Sequence, residues 1–293
     1  MQGSAKIQKK GGCIMKALKK SICLLLAFSL LALAACGSFT PRMATALKKM
    51  SVLQSFHSDT TLNAEFSLSL LGQELPLELK AHAAGDHQIE PALNAMTLDL
   101  EVWDFSQQLL LFTHQEGEDL TVSVSMDDGR SWMHQTIGRD PSDPGQNGTT
   151  IDSSRLLALA LALSKSFEET ESGDGSLISY EGVVPAEMAQ EMLRMTGALE
   201  KLSEAAGLEL DESVLSTVGG VPASVAIDKE SGMLVRLRLD LTQALSGLTD
   251  QLLLQLLAQS GLGFEDASLS ISRLEVVTEL SQFDAVTVVP PAM

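Results

Sequence analysis

Cysteine is scarce. Cys13, Cys23 and Cys36 are the only three in 293 residues, so nothing beyond residue 36 can supply a disulfide or a cysteine metal site. The roughly 250 residues that follow can bury a sizeable core without such staples. Positive charge is scarce too. Lys and Arg number 20 against 38 Asp and Glu, a formal charge of −18, and six of the lysines fall within the first 35 residues. Without that leader the formal charge becomes −24. Nucleic acid is excluded as a partner, because phosphates must be neutralised by Lys and Arg. Flat electrostatic docking onto anionic lipid is disfavoured for the same reason. Long apolar runs are missing: residues 22–35 make fourteen positions, with Ser29 among them. As a helix they would cover ~21 Å, short of a ~30 Å hydrocarbon core. Catalytic signatures are missing as well. There is no G-x-S-x-G, H-E-x-x-H, Walker loop or dinucleotide-binding glycine fingerprint. An enzyme is not expected, and no cofactor is.

The first forty residues carry the clearest positive signal. Lys6, Lys9, Lys10, Lys16, Lys19 and Lys20 precede the apolar run with no acidic residue among them. A basic n-region, a short apolar h-region and small residues before a break describe a secretory signal peptide. The break, Leu33-Ala34-Ala35-Cys36, resembles the lipobox of bacterial lipoproteins. The resemblance implies that Cys36 receives a diacylglycerol and becomes the first residue after cleavage. Residues 1–35 are therefore expected to be removed, and Met15 is a natural start for the leader. Residues 36–40 form a short tether and residues 41–293 a single domain. At ~3.5 Å per residue the domain begins roughly 14 Å from its acyl anchor. The expected location is the extracytoplasmic face of a bacterial cell membrane, with a lipid anchor.

Residues 41–55 read as an amphipathic helix, with Met43, Leu47, Met50 and Leu53 on one stripe. A run of alternating segments follows. Leu62, Ala64, Phe66, Leu68 and Leu70 alternate with polar residues, as do Leu75, Leu77, Leu79, Ala81 and Ala83. Alternation of period two predicts strands with one apolar and one hydrated face. Met96–Val102, a segment at 109–112 apolar on both faces, Leu120–Met126 and 131–136 complete a meander of about six antiparallel strands. Residues 138–149 carry every loop signal. Beyond them the pattern predicts a helix over 152–170, a strand over 177–184 and a helix from Pro185. A strand pair over 221–228 and 233–239, a leucine-rich helix over 241–260, and strands over 267–280 and 285–289 follow.

This string resembles the LolA/LppX-like lipoproteins, and within them an uncharacterised group from Gram-positive bacteria. The segment VAIDKESGMLVRLRLDLT (225–242) is similar to their I-D-K-x-[ST]-G hairpin, and DDGRSWMHQ (127–135) to their dG-x-x-W strand. The resemblance spans most of residues 39–293. It implies an α+β fold: a strongly curved antiparallel sheet forming an incomplete β-barrel, with helices packed in the concave face. It also implies an apolar cavity that takes lipid acyl chains, and no catalytic residues.

The candidate ligand-facing side chains are apolar. Met188, Met192 and Met195 run down one helix stripe, and methionine suits surfaces that accept varied apolar partners. Leu156, Leu159 and Leu163 share one face of a second helix, Leu252 and Leu256 sit on a third, and Phe66, Leu68 and Leu98 belong to strands. The same residues could instead fill an ordinary core. The five histidines, His57, His82, His87, His114 and His134, lack metal-pair spacing and read as solvated surface, with His82 on a polar strand face and His87 in a turn. Glu168, Glu169 and Glu171 read as a solvated helix end. The expected function is binding or shuttling of a lipid or other amphiphile at the membrane. Its rival is a solid-cored envelope sensor or scaffold with a protein partner.

Overall fold

The computed structural model describes residues 41–70, 72–116, 119–137, 167–171, 175–196, 212–247 and 268–291. Cys36, Leu156, Leu159, Leu163, Leu252 and Leu256 lie outside these residues. Among the described residues eleven strands form one sheet: β1 (Ser55–Leu70), β2 (Gln73–Gln88), β3 (Leu93–Val102), β4 (Phe105–Glu116), β5 (Asp119–Ser125), β6 (Met133–Ile137), β7 (Phe167–Glu171), β8 (Leu177–Val184), β9 (Val221–Asp228), β10 (Leu234–Asp240) and β11 (Ser268–Ser281). Among the described residues the α-helices α1 (Pro41–Met50) and α2 (Ala186–Thr196) accompany them, with a 3₁₀ turn at Glu212–Thr217.

The strand order is β6-β5-β4-β3-β2-β1-β11-β10-β9-β8-β7. Every neighbour in it is also a neighbour in sequence except β1 and β11, and every pairing is antiparallel. The order is that of an up-and-down sheet interrupted between β6 and β7, its two edges. Eleven is odd, so antiparallel pairing alone cannot close the ring. Direction alternates from strand to strand, so β6 and β7 run the same way, and no hairpin can join parallel neighbours. The sheet is open rather than a closed barrel.

Turn chemistry punctuates the meander where the sequence places it. Asp128 and Gly129, both at positive φ, turn β5 toward β6. Asp127 anchors that turn: its carboxylate accepts hydrogen bonds from the Ser131 backbone N–H and from the hydroxyls of Ser131 and Ser125. These bonds, Ser131's first, hold its carboxyl at about 2. At the β9–β10 hairpin Asp228 takes the Ser231 N–H at 2.6 Å, and Gly232 sits at φ 64. Pro76 tolerates its place in β2 because its backbone faces away from β1. Its carbonyl accepts from the Trp103 indole at 3.2 Å, and β3 begins to pair only at Leu79.

The main core lies on the β7–β11 half. Ala46 and Met50 of α1 and Met188 and Ala189 of α2 are buried in one cluster with Phe56, Tyr180, Val225, Leu237 and Leu280. Tyr180 is fully buried and donates its hydroxyl to Glu169 Oε2 at 3.3 Å. A smaller cluster on the other half joins Leu93 and Phe112 to Val288 of the C-terminal tail.

Four elements differ from the sequence reading. The first helix ends at Met50, not at 55, because the chain turns at Val52 and Leu53 and enters β1 at Ser55. Residues 167–170 are not helical: they belong to β7, whose backbone pairs with β8 from Phe167↔Gly182 to Glu171↔Ile178. Glu168 and Glu169 are thus exposed strand residues, and Glu169 pairs with Arg42 at 3.3 Å. The expected helix from 241 opens with a turn over 242–245, closed by the Leu245 N–H to Leu241 O bond at 3.0 Å, and helical backbone begins at 246; residues 248–260 lie outside the described residues. Residues 285–289 run as a tail outside the sheet, their donors taken by side chains: Val286 N–H by Ser55 Oγ at 3.1 Å and Val288 N–H by Gln88 Oε1 at 3.3 Å.

Candidate functional site

Register gives the sheet two unlike faces, because directly opposed residues project to the same side. Phe56, Ser58, Thr60, Leu62, Ala64, Phe66 and Leu68 share one face of β1. Leu62 stands opposite Ala81 on β2 and Val276 on β11, and Ala81 stands opposite Leu100 on β3. In the next rows Ala83, Leu98 and Leu109 line up, then Gly85, Met96, Leu111 and Val124. The apolar face therefore runs unbroken from β11 to β5. Gly85 is required there: a Cβ at that position would lie 2.3 Å from Met96 Cγ, so only glycine lets Met96 lie across the strand.

The structure brings Phe66, Leu68 and Leu98 onto this face, all half-buried. Phe66 and Leu68 stand opposite Leu77 and Leu75. Met188 is 7% exposed and packs in the main core. Met192 and Met195 follow it on α2.

At one end the apolar face carries a chain of polar side chains. His87 Nε2 is 2.7 Å from Ser58 Oγ and its Nδ1 is 2.9 Å from Asn94 Oδ1, while Asn94 Nδ2 donates to Thr113 Oγ1 at 2.8 Å. Asn94 Oδ1 can only accept, so Nδ1 carries the ring proton and Nε2 accepts from Ser58. Burial pushes the His87 imidazole below its ordinary pKa, against the opposing effect of Asn94. His87 is therefore not a solvated turn residue. It sits in β2 and continues the apolar phase of Leu79, Ala81 and Ala83, which is the signal that could have found it.

The opposite face is hydrated and charged. His82 stands between Asp59, 3.0 Å from Nε2, and Asp99, 3.6 Å from Nδ1. The Asp59 hydrogen bond first, then the charges of both carboxylates, raise the His82 pKa. Farther along, buried Glu275 accepts from Arg238 Nε and from an Arg273 amino group at 2.8 Å. Those bonds, Arg273's first, hold its carboxyl low. Among the described residues no cluster of His, Cys, Asp and Glu has the geometry of a metal site. Among them also, no helix is long and apolar enough to cross a membrane.

The chain is thus a large open antiparallel sheet with one apolar and one charged face. No protein-family model matches it, and no curated protein matches it. Solved structures show distant likeness. A β-barrel-like protein of the domain family DUF1849 from Brucella abortus is 8% identical, covering 80% of this chain and 99% of that chain at a TM-score of 0.23. A DUF1329 family protein from Desulfovibrio piger is 9% identical, covering 82% and 90% at 0.19. A domain assigned as an outer membrane lipoprotein-sorting protein from Vibrio parahaemolyticus is 9% identical, covering 78% and 86% at 0.16. Scores this low do not establish a shared fold or function.

Proposed function

We propose that this protein is a lipoprotein held through Cys36 on the extracytoplasmic face of a bacterial cell membrane, where it binds or shuttles a lipid or another amphiphile. In this reading the sheet is a LolA-like incomplete barrel whose apolar face, together with helices in its concavity, receives acyl chains. No catalysis is involved. The observation that carries the proposal is the continuous, half-buried apolar face from β11 to β5, with Phe66, Leu68 and Leu98 on it. Burying acyl surface there would contribute about 25 cal/mol per Å².

A second reading, a solid-cored envelope sensor or scaffold with a protein partner, draws support from the main core. Tyr180, Val225 and Leu234 are at most 1% exposed, and Met188 packs with them rather than facing an open space.

Native mass spectrometry of the protein purified from its own membrane separates the two. Stoichiometric co-purifying lipid supports the carrier. A single ligand-free mass, with no binding of an apolar probe dye, removes the carrier and leaves the scaffold.

A further inference from the structure

Strand β4 is apolar on both sides, and the lipid-binding proposal uses only one of them. Leu109 and Leu111 belong to the apolar face. Leu110 and Phe112 project to the face that is otherwise hydrated. The C-terminal tail explains part of this: Val286 and Val288 pack with Leu93, Ala95, Phe112 and Trp132. The tail is pinned at Val286 and Val288 by Ser55 and Gln88. Asp284 pins it further, donating its N–H to Ser55 O at 2.8 Å while its carboxylate accepts from Gln54 N–H at 2.6 Å.

The tail does not cover the whole patch. Beside it opens a cleft of about 390 Å³, walled by Ala84, Ala95, Leu110, Phe112 and Trp132, with Val289 and Pro291 of the tail at its rim. Its size and apolar walls fit a small organic molecule. Its ionisable side chains are His57 and Asp86 alone, with no Lys or Arg among the lining residues. His57 Nδ1 donates to Asp86 Oδ1 at 2.7 Å, and the Asp86 carboxylate keeps 44% exposure, so an oxygen remains for a donor from the cleft. Trp132 has spent its N–H on Gly129 O at 3.2 Å and offers the cleft only ring surface.

We propose that this cleft binds small hydrophobic amines: the apolar body lies against Leu110, Phe112 and Trp132, and the ammonium group meets Asp86. The Asp86 carboxylate, in a lining that holds no Lys or Arg, selects a positive head over a negative one. The site is on the opposite side of the sheet from the apolar face and stands whether or not that face binds lipid.

The test is fluorescence titration of the full protein carrying Trp103→Phe, which leaves Trp132 as the single indole. The probes are phenethylamine, 2-phenylethanol and phenylacetate. Saturable quenching is expected from phenethylamine, with affinity about tenfold above that of phenylacetate. Asp86→Asn is expected to remove that preference and to leave 2-phenylethanol unchanged. Ala95→Leu, which fills the cleft, is expected to abolish quenching by all three probes, with Ala84→Leu as a second filling variant should the first fail to fold. No saturable quenching by phenethylamine, or an amine preference that survives Asp86→Asn, overturns the proposal.

Discussion

His87 stacks on Phe56 directly across strands β1 and β2, with ring centroids 4.6 Å apart and planes 19° apart. The imidazole is thereby held between an aromatic face and the Ser58–Asn94 hydrogen bonds, where its neutral form is favoured. Its folded pKa lies below the unfolded value, so the unfolded state binds more protons as pH falls through about 6.5. Stability is expected to drop on acidification from neutral pH. His87→Gln should flatten that drop in a series of thermal melts between pH 8 and pH 5. His82 has the opposite sign: its contribution is present at low pH and is lost as pH rises through its raised pKa. Identical pH slopes for wild type and His87→Gln would contradict the assignment.

Gly85→Ala is expected to destabilise the protein by about 1–3 kcal/mol, because the new methyl collides with Met96 Cγ. Met96→Ala makes the room. The double variant should therefore lose less, in urea denaturation, than the two single losses added together. Strict additivity would mean that the collision is not the cause.

Glu275→Gln should cost about 1–3 kcal/mol at neutral pH, since two arginines lose their shared buried acceptor. The folded pKa of Glu275 is lowered, so its contribution is present above the ordinary carboxylate pKa and is lost as pH falls through the folded one. The gap in urea midpoint between wild type and variant is expected to narrow below about pH 4. A gap independent of pH would refute the ion-pair account.

Leu98→Asp places a charge in the middle of the apolar face, between Ala83 and Leu109. It is expected to remove co-purifying lipid and apolar-dye binding. Ser67→Asp, on the hydrated face of β1, should leave both intact. Equal effects of the two substitutions, with far-UV circular dichroism unchanged, would detach ligand binding from this face.

Much of the sheet was legible in the sequence because alternation of period two is a local property. Leu62 to Leu68 and Leu120 to Val124 announce which side is apolar without any knowledge of neighbours, and Asp128-Gly129 announces its own turn. Strand β7 was not legible. Its FEETE sequence favours a helix end by composition, and only pairing with β8 makes it a strand. The tail over 285–289 is extended and apolar like a strand, yet its partners are the side chains of Ser55 and Gln88. The cleft beside Trp132 draws on β1, β2, β3, β4 and the tail, and no spacing along the chain links those segments.

By itself the sequence determined which residues face water and which face grease along the alternating strands such as β1 and β5, and where the β5–β6 turn falls. It did not determine the partners. The joint between the two meanders rests on β1 meeting β11, where Thr60 and Thr278 share a hydrogen bond across 218 positions. That pairing, and the place of β6 and β7 as the two unpaired edges of the described sheet, belong to the tertiary structure. The physical reason is that side-chain periodicity fixes the orientation of a strand about its own axis, whereas the identity of its neighbour depends on backbone groups that are the same in every residue except proline.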